Sequence, residues 1–318
     1  ENTLIGGLAG DALTDADLNV AVGSQALSSD TKGSANTAIG RAALFSQNFT
    51  SATSSYNTGV GYGAGSTITT GIRNTLVGGL AGDALTDADF NLALGYEALS
   101  ADTLGSRSTA LGYQSLATQN FTSATDSYNT AVGYSAGLSV TTGIRNTLIG
   151  GLAGDALTDA DFNVAVGYNS LGSATTSSYN TAIGDGALFA TTVGDRNVAV
   201  GQGAMQNNTE GDRNTAIGME SFHNLNISSN ADSYNTGLGY RTGYAVTTGI
   251  NNTLIGGLAG DALTVGTLNV AVGASALSTD TKGQNNTAVG YRALLTQNFT
   301  SATNSYNTAF GADAGKEV

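Results

Sequence analysis

Short apolar segments recur along the whole chain, each separated from the next by polar and glycine-rich residues. The recurring phrase is Asn-Thr-x-aliphatic-Gly, as in NTAIG at 36–40, in which β-branched residues alternate with a small one. Alternation with a period of two indicates a β-strand, and the glycine that follows indicates a corner with a backbone conformation that other residues avoid. No apolar stripe has helical spacing. The pattern therefore predicts an all-β protein built from many short strands.

The phrase returns with a strict period. Its glycine occurs 18 times, and 13 of the 17 intervals are 17 residues long, while the other four are 21. A unit of this length suits one coil of a parallel β-solenoid, and 18 coils stacked about 4.8 Å apart predict a rod of about 86 Å. We expect the repeated glycines and asparagines to hold equivalent structural positions, the asparagines as a hydrogen-bonded ladder. The first of them are Gly6, Gly23, Gly40, Gly61, Gly78, Gly95, Asn2, Asn19, Asn36 and Asn57.

The two faces of each predicted strand differ in size and polarity. Thr37 and Ile39 share one side of their strand, and Asn36, Ala38 and Gly40 share the other. Because β-branched residues suit a buried pleated face, we expect Thr37 and Ile39 to point into the coil. The small residues of the other face allow close approach of another backbone, so we expect a second copy of the chain to pack there.

The four long coils expand at one place, before the next asparagine, and three of them read QNFTSAT there. Their four surplus residues are predicted to bulge outward, since the coil register must be kept. Loops on a rigid scaffold often bind partners, although near-identity of three bulges also fits a purely structural repeat. The aromatic residues that we assign to a possible binding surface are Phe49, Tyr56, Phe121, Tyr128, Phe299 and Tyr306.

A longer period groups the coils into super-repeats near 1–72, 73–144, 145–250 and 251–318. With no linker between them, we predict one β-solenoid repeat domain over 1–318, as a segment of a longer fibre.

Composition narrows the chemistry. The chain has 45 glycines among 318 residues, no proline, cysteine or tryptophan, and a net charge of −13. This acidity disfavours nucleic acid and anionic membranes as partners, and the lack of cysteine excludes disulfides and thiolate metal sites. No run of 18 apolar residues is present, so we expect no membrane insertion by this segment.

Candidate chemical sites are few. The turn GDALTDAD, with Asp11, Asp15 and Asp17, has a carboxylate density that could suit calcium. Its copies are separated by whole coils and one copy loses two carboxylates, so we expect a solvated acidic turn and no cofactor. With His223 as the single histidine and no nucleophile–base pair, we expect no enzyme. Any unique site is expected in the least repetitive part of the chain, between Asp185 and Glu220.

The phrases NTAIGxxAL and NTAVGYxAG resemble the head repeats of YadA-like trimeric autotransporter adhesins, and still more the repeats of phage and bacterial tail-fibre proteins. The resemblance covers all 18 units. It implies a left-handed parallel β-roll in which three chains pack side by side, located outside the cell, on the cell surface or on a virion. The regular four-residue bulges depart from the adhesin heads.

These observations favour a structural fibre that forms a homotrimeric rod and contributes to surface attachment. An adhesin that binds a host glycan or protein through the bulges is the alternative, and an end-to-end filament is a lesser one. A monomer with an exposed flat face also remains open.

Overall fold

The computed structural model describes residues 1–229 and 231–318 and shows an all-β chain, with no helix in those residues. Two compact units are present, residues 1–161 and residues 162–318. Each unit is a parallel β-solenoid of nine coils, which confirms the predicted fold class. The prediction of one domain over 1–318 stays a prediction.

A three-residue strand follows the repeated asparagine in every coil but one, where Ser108 takes the place of the asparagine. In unit 1 the strands are β1 (Thr3–Ile5), β2 (Val20–Val22), β3 (Gly33–Ser34), β4 (Thr37–Ile39), β5 (Thr53–Ser54), β6 (Thr58–Val60), β7 (Thr75–Val77), β8 (Leu92–Leu94), β9 (Gly105–Ser106), β10 (Thr109–Leu111), β11 (Thr125–Asp126), β12 (Thr130–Val132) and β13 (Thr147–Ile149). In unit 2 they are β14 (Val164–Val166), β15 (Thr181–Ile183), β16 (Val198–Val200), β17 (Gly211–Asp212), β18 (Thr215–Ile217), β19 (Ala231–Asp232), β20 (Thr236–Leu238), β21 (Thr253–Ile255), β22 (Val270–Val272), β23 (Gly283–Gln284), β24 (Thr287–Val289), β25 (Thr303–Asn304) and β26 (Thr308–Phe310).

Equivalent residues of successive coils lie side by side. Strands β7 and β8, for example, pair in parallel with Thr75 opposite Leu92 and Val77 opposite Leu94. The two-residue strands pair each bulge with the coil before it, as β3 does with β5. The extra residues therefore lie against the preceding coil, and the register of the main strands continues unchanged past each bulge.

The glycine after each main strand forms the corner of the coil. Gly95 has a φ of +144°, and a Cβ atom placed on it would lie 2.3 Å from the carbonyl oxygen of Gly112 in the next coil. Because that obstacle is backbone, no rotamer change relieves it. The sharp corner and the close stacking of coils both require a residue without a side chain.

The repeated asparagines from Asn19 to Asn286 are buried and connect backbone segments of successive coils. The Asn19 Oδ1 atom accepts a hydrogen bond of 2.9 Å from the backbone N–H of Asn36 in the next coil. The Asn19 Nδ2 atom donates at 2.9 Å to the carbonyl of Gly33, which lies 14 residues further along the chain. Each such amide therefore satisfies backbone groups that a three-residue strand leaves without partners inside the coil.

The strand faces are the reverse of those expected from the sequence. The central residue of the strand points into the coil, so Ala38 is fully buried, whereas Ile39 is 39% exposed. The expectation that Thr37 and Ile39 fill the interior is therefore wrong. The reason is the narrow cross-section of the coil, where the fully buried Leu44 occupies the space inside and leaves room for only a small residue on the strand.

The core matches large residues with small ones from coil to coil. Where the strand centre is Leu76, the residue six positions later is Gly82, and a Cβ at Gly82 would lie 2.8 Å from the Leu76 side chain. Where the strand centre is Ala93, the equivalent later residue is Leu99, and both are fully buried. In these two coils the large residue and the small one have thus changed places.

Candidate self-association surface

One face of each solenoid unit consists of the two outer residues of every main strand. In unit 1 these are Thr3, Ile5, Val20, Val22, Thr37, Ile39, Thr58, Val60, Thr75, Val77, Leu92, Leu94, Thr109, Leu111, Thr130, Val132, Thr147 and Ile149. None of these residues is charged, and all are half-buried or exposed. We call this surface the strand face of unit 1. It is a continuous β-branched and aliphatic surface on a chain of net charge −13.

Unit 2 has a strand face of the same composition. Its residues are Val164, Val166, Thr181, Ile183, Val198, Val200, Thr215, Ile217, Thr236, Leu238, Thr253, Ile255, Val270, Val272, Thr287, Val289, Thr308 and Phe310. Here too no residue is charged, and side chains such as Ile183 and Leu238 are 38% and 46% exposed. Contiguous exposed apolar surface of this kind marks an interaction site more often than it marks free surface.

A column of tyrosines borders the strand face of unit 1, one residue after the corner glycines. Tyr96, Tyr113 and Tyr134 are exposed and stacked, with ring centroids 5.8 Å and then 5.5 Å apart. A hydrogen bond from Gln114 lowers the pKa of Glu97, and the hydrogen bond between Tyr96 and Glu97 raises the pKa of Tyr96. The stacked tyrosine rings thus form an ordered border of the strand face.

On the other border, arginine and aromatic residues alternate over the last six coils of unit 1, at the residue before the repeated asparagine or before Ser108, which takes its place in one coil. We call this the cation–aromatic column; in unit 1 it contains Tyr56, Arg73, Phe90, Arg107, Tyr128 and Arg145. The guanidinium carbons of Arg73 and Arg107 lie 5.3 Å and 5.2 Å from the centroid of the Phe90 ring. In unit 2, Tyr179 stacks on Phe162 at 4.9 Å and carries Arg196 at 5.5 Å.

The bulge aromatics divide between interior and surface. Phe49 and Phe121 are 6% and 5% exposed, and Phe299 is half-buried. A Cβ on Gly105 would lie 2.7 Å from a ring carbon of Phe121, so the ring is held over a residue without a side chain. This corrects the expectation that the bulge phenylalanines face outward. The exposed members of the set are Tyr56, Tyr128 and Tyr306, which belong to the column before the asparagines.

Each regular bulge contains a buried polar relay that the sequence reading missed. In unit 1, Asn129 Nδ2 donates to Gln119 Oε1 at 2.8 Å, and Gln119 Nε2 donates to Asp102 Oδ2 at 2.5 Å. Burial raises the pKa of Asp102, and hydrogen bonds from Gln119 and from backbone N–H groups oppose that rise. The signal was present as aspartate 17 residues before glutamine in the coil preceding each regular bulge.

The acidic turns are not gathered into a cluster. In residues 1–229 and 231–318 no group of three or more His, Cys, Asp or Glu side chains is placed to hold a metal ion. Burial raises the pKa of Asp83, Asp155 and Asp261, which are equivalent residues of three acidic turns. Within residues 1–229 and 231–318, the buried Oδ1 atom of each of them makes no hydrogen bond.

Comparison with known proteins adds no family. No family model matches the chain, and no curated protein matches it either. Among the residues that the structure describes, no helix is long and apolar enough to cross a bilayer. The surface that the fold itself singles out is therefore the uncharged strand face.

Proposed function

We propose that the chain is a segment of a structural fibre in which three copies pack side by side through their strand faces. The observation that carries this proposal is the strand face, which has exposed aliphatic side chains and no charge along nine successive coils of unit 1. Burial of such a surface is favourable, and on an acidic protein it is also the surface on which copies repel each other least. The resemblance to trimeric fibre repeats supports the number three.

In an assembly with closed rotational symmetry, each chain can bury the same face against its neighbours. Three parallel copies around a common axis turn the same face inward, so that strand meets equivalent strand at the same height. The tyrosine and cation–aromatic columns would then border the interface and remain accessible. Such an assembly would serve as a stiff spacer outside the cell or on a virion, where it contributes to surface attachment.

Sedimentation equilibrium tests this proposal. We expect the chain to sediment at three times its mass of 31.7 kDa. The double variant Leu94→Lys/Ile149→Lys should sediment at the mass of one chain, because both side chains lie on the strand face and are already 45% and 38% exposed. Introduced charges there prevent association without disturbing the interior of the coil.

The matched control places the same two charges elsewhere. Ala52 and Ala124 are exposed residues of two bulges, so Ala52→Lys/Ala124→Lys should leave the sedimentation unchanged. Circular dichroism would verify that both variants keep the β-solenoid. A wild-type chain that sediments as one copy, or a strand-face variant that stays associated, would rule the proposal out.

An adhesin remains the second candidate function. It is favoured by the exposed cation–aromatic column, since arginine and aromatic side chains are the residues most often decisive at recognition surfaces. In this reading Tyr56, Tyr128 and Tyr306 would contribute to binding, and the buried Phe49 and Phe121 would hold the bulges in place.

A further inference from the structure

A groove lined mainly by amide- and hydroxyl-bearing residues crosses several coils of unit 2, away from the strand face. It has a volume of about 700 Å³, within the range of ligand sites, and its lining includes Asn207, Thr209, Asn224, Asn226 and Thr247. Two alanines, Ala190 and Ala245, close the two ends of the row that contains Asn207 and Asn224. The groove thus follows the direction in which the coils succeed one another.

The groove lies where the repeat departs from its pattern. Six residues after the corner glycine, the other coils have alanine, serine or threonine, apart from Glu317 in the last coil. Asn207 and Asn224 hold this position in two successive coils, and both line the groove. The adjacent bulge also reads differently from the other three, with Ile227 in place of phenylalanine. Residues that depart from the repeat at two different positions of the coil therefore lie on one surface.

The amides of the groove retain hydrogen-bonding capacity. Asn207 Nδ2 donates to Asn224 Oδ1 at 3.2 Å, and Asn226 Oδ1 accepts from the Thr209 hydroxyl at 2.7 Å. These contacts hold the side chains in place. Within residues 1–229 and 231–318, the Asn207 carbonyl oxygen and the Asn226 NH₂ group make no further hydrogen bond, and both side chains are exposed. One acceptor and one paired donor are thus available to a ligand.

The lining of the groove contains no ionisable side chain. Two arginines of the neighbouring coils are paired, Arg241 with Glu220 at 2.5 Å and Arg213 with Asp232. A carboxylated or phosphorylated ligand would need a cation to replace its hydration, and a cationic ligand would need a carboxylate. The groove therefore favours a neutral ligand with many hydroxyl groups.

A second hollow adjoins the groove and shares Ser228 and Thr248 with it. It has a volume of about 320 Å³, and its lining includes Ile227, Ile250 and Asp232, whose carboxylate is paired with Arg213. Sugar rings combine hydroxyl edges with apolar C–H faces, so amide and hydroxyl side chains beside the isoleucine side chains of the hollow match both parts. A repeated row of amides and hydroxyls also suits a polymer with a regular repeat.

From these observations we infer that the groove of unit 2 binds a neutral oligosaccharide. Asn207 and Asn226 supply the hydrogen bonds to its hydroxyl groups, and Asn224 holds the Asn207 side chain in place. The site is separate from the strand face, and binding does not depend on the proposed self-association, so either can fail without the other.

Isothermal titration calorimetry with maltohexaose, cellohexaose, mannohexaose and hexagalacturonate tests the inference. At least one of the three neutral hexasaccharides should bind the full chain, and acidic hexagalacturonate should not. The double variant Asn207→Ala/Asn224→Ala should weaken the binding of that hexasaccharide at least tenfold. A second variant, Ala245→Arg, should weaken it by filling the groove without removing either amide.

The matched control removes two exposed amides from regular bulges. Asn48 accepts a hydrogen bond from Thr31, and Asn120 accepts one from Thr103, as Asn226 does from Thr209. Asn48→Ala/Asn120→Ala should therefore leave binding unchanged. Binding of none of the neutral hexasaccharides, binding of hexagalacturonate alone, or equal binding by the wild-type chain and both groove variants would overturn the inference.

Discussion

Replacement of Gly256 by alanine is expected to lower the free energy of unfolding of unit 2 by about 3–6 kcal/mol. Gly256 forms the corner after β21 with a φ of +125°, and a Cβ on it would lie 2.6 Å from the carbonyl carbon of Gly273. Both the conformation and the contact penalise a side chain, and the contact is with backbone that every following coil holds in place. Urea unfolding followed by circular dichroism would measure the loss.

The next residue provides a control at the same place in the chain. Gly257 has an ordinary φ, and a Cβ on it would have no atom within 4 Å. Gly257→Ala should therefore be neutral or stabilising by up to about 1 kcal/mol, because alanine restricts the unfolded chain. Equal effects of Gly256→Ala and Gly257→Ala would show that the corners do not stack as described.

Replacement of Gln119 by leucine is expected to destabilise unit 1 by about 3–5 kcal/mol at neutral pH, because it leaves a buried carboxylate without its side-chain partner. Gln119 is the donor to Asp102 Oδ2, and both side chains are fully buried. The relay has a direction, from Asn129 through Gln119 to an acceptor. A carboxylate suits its end because it only accepts hydrogen bonds.

Unit 2 contains a natural counterpart of this change, in which the donor and the acceptor of the relay are both replaced. Around its irregular bulge the equivalent residues are Asn208 and Leu225, both fully buried, and Asn208 Nδ2 donates to the Gly211 carbonyl at 2.9 Å. The double variant Asp102→Asn/Gln119→Leu should therefore recover most of the stability that Gln119→Leu loses. Urea midpoints of the two single variants and the double variant would measure this coupling.

The effect of Gln119→Leu should also depend on pH in a defined direction. Burial already raises the pKa of Asp102, and loss of the Gln119 hydrogen bond raises it further. At pH values between the ordinary aspartate pKa and the raised one, the folded state then binds more protons than the unfolded state. The free energy of unfolding therefore falls as pH rises through that window. The penalty should be larger at pH 7 than near pH 4, and a penalty that grows on acidification would contradict the relay.

The fold class could be predicted because the repeat is strict. A corner such as Gly95 tolerates no side chain, and a buried amide such as Asn19 has backbone partners on two sides, so both positions keep their residue type from coil to coil. The period of 17 residues then determines the architecture, and the bulges reveal themselves as the place where the period breaks.

The interior could not be predicted from the strand pattern alone. Alternation shows that Ala38 and Ile39 face opposite ways, but which of them faces the core depends on what fills the coil from the other side. That residue is Leu44, six positions after Ala38 and on another segment of the coil. β-branched residues suit an exposed strand face as well as a buried one, so residue preference alone favoured the wrong side.

The left-handed backbone conformations of the turns also could not be predicted from the sequence. In the coil that begins at Gly95, the residues Glu97, Leu99 and Arg107 have φ values of 53°, 56° and 61°. Left-handed backbone usually points to glycine or asparagine, and side chains there are strained. Two of these side chains make contacts that offset the strain, since Leu99 fills the core and Arg107 stacks on Phe90.

The central claim is that copies of the chain meet through equivalent strand faces around one axis. Because the chain has no cysteine, a single introduced cysteine can carry the only spin label. Pulsed dipolar spectroscopy on Thr75→Cys, on the strand face, should give one short interchain distance with the modulation depth of three spins. Thr69→Cys, exposed on another side of its coil, should give a longer distance. No interchain coupling at position 75, or a shorter distance at position 69, would contradict the account.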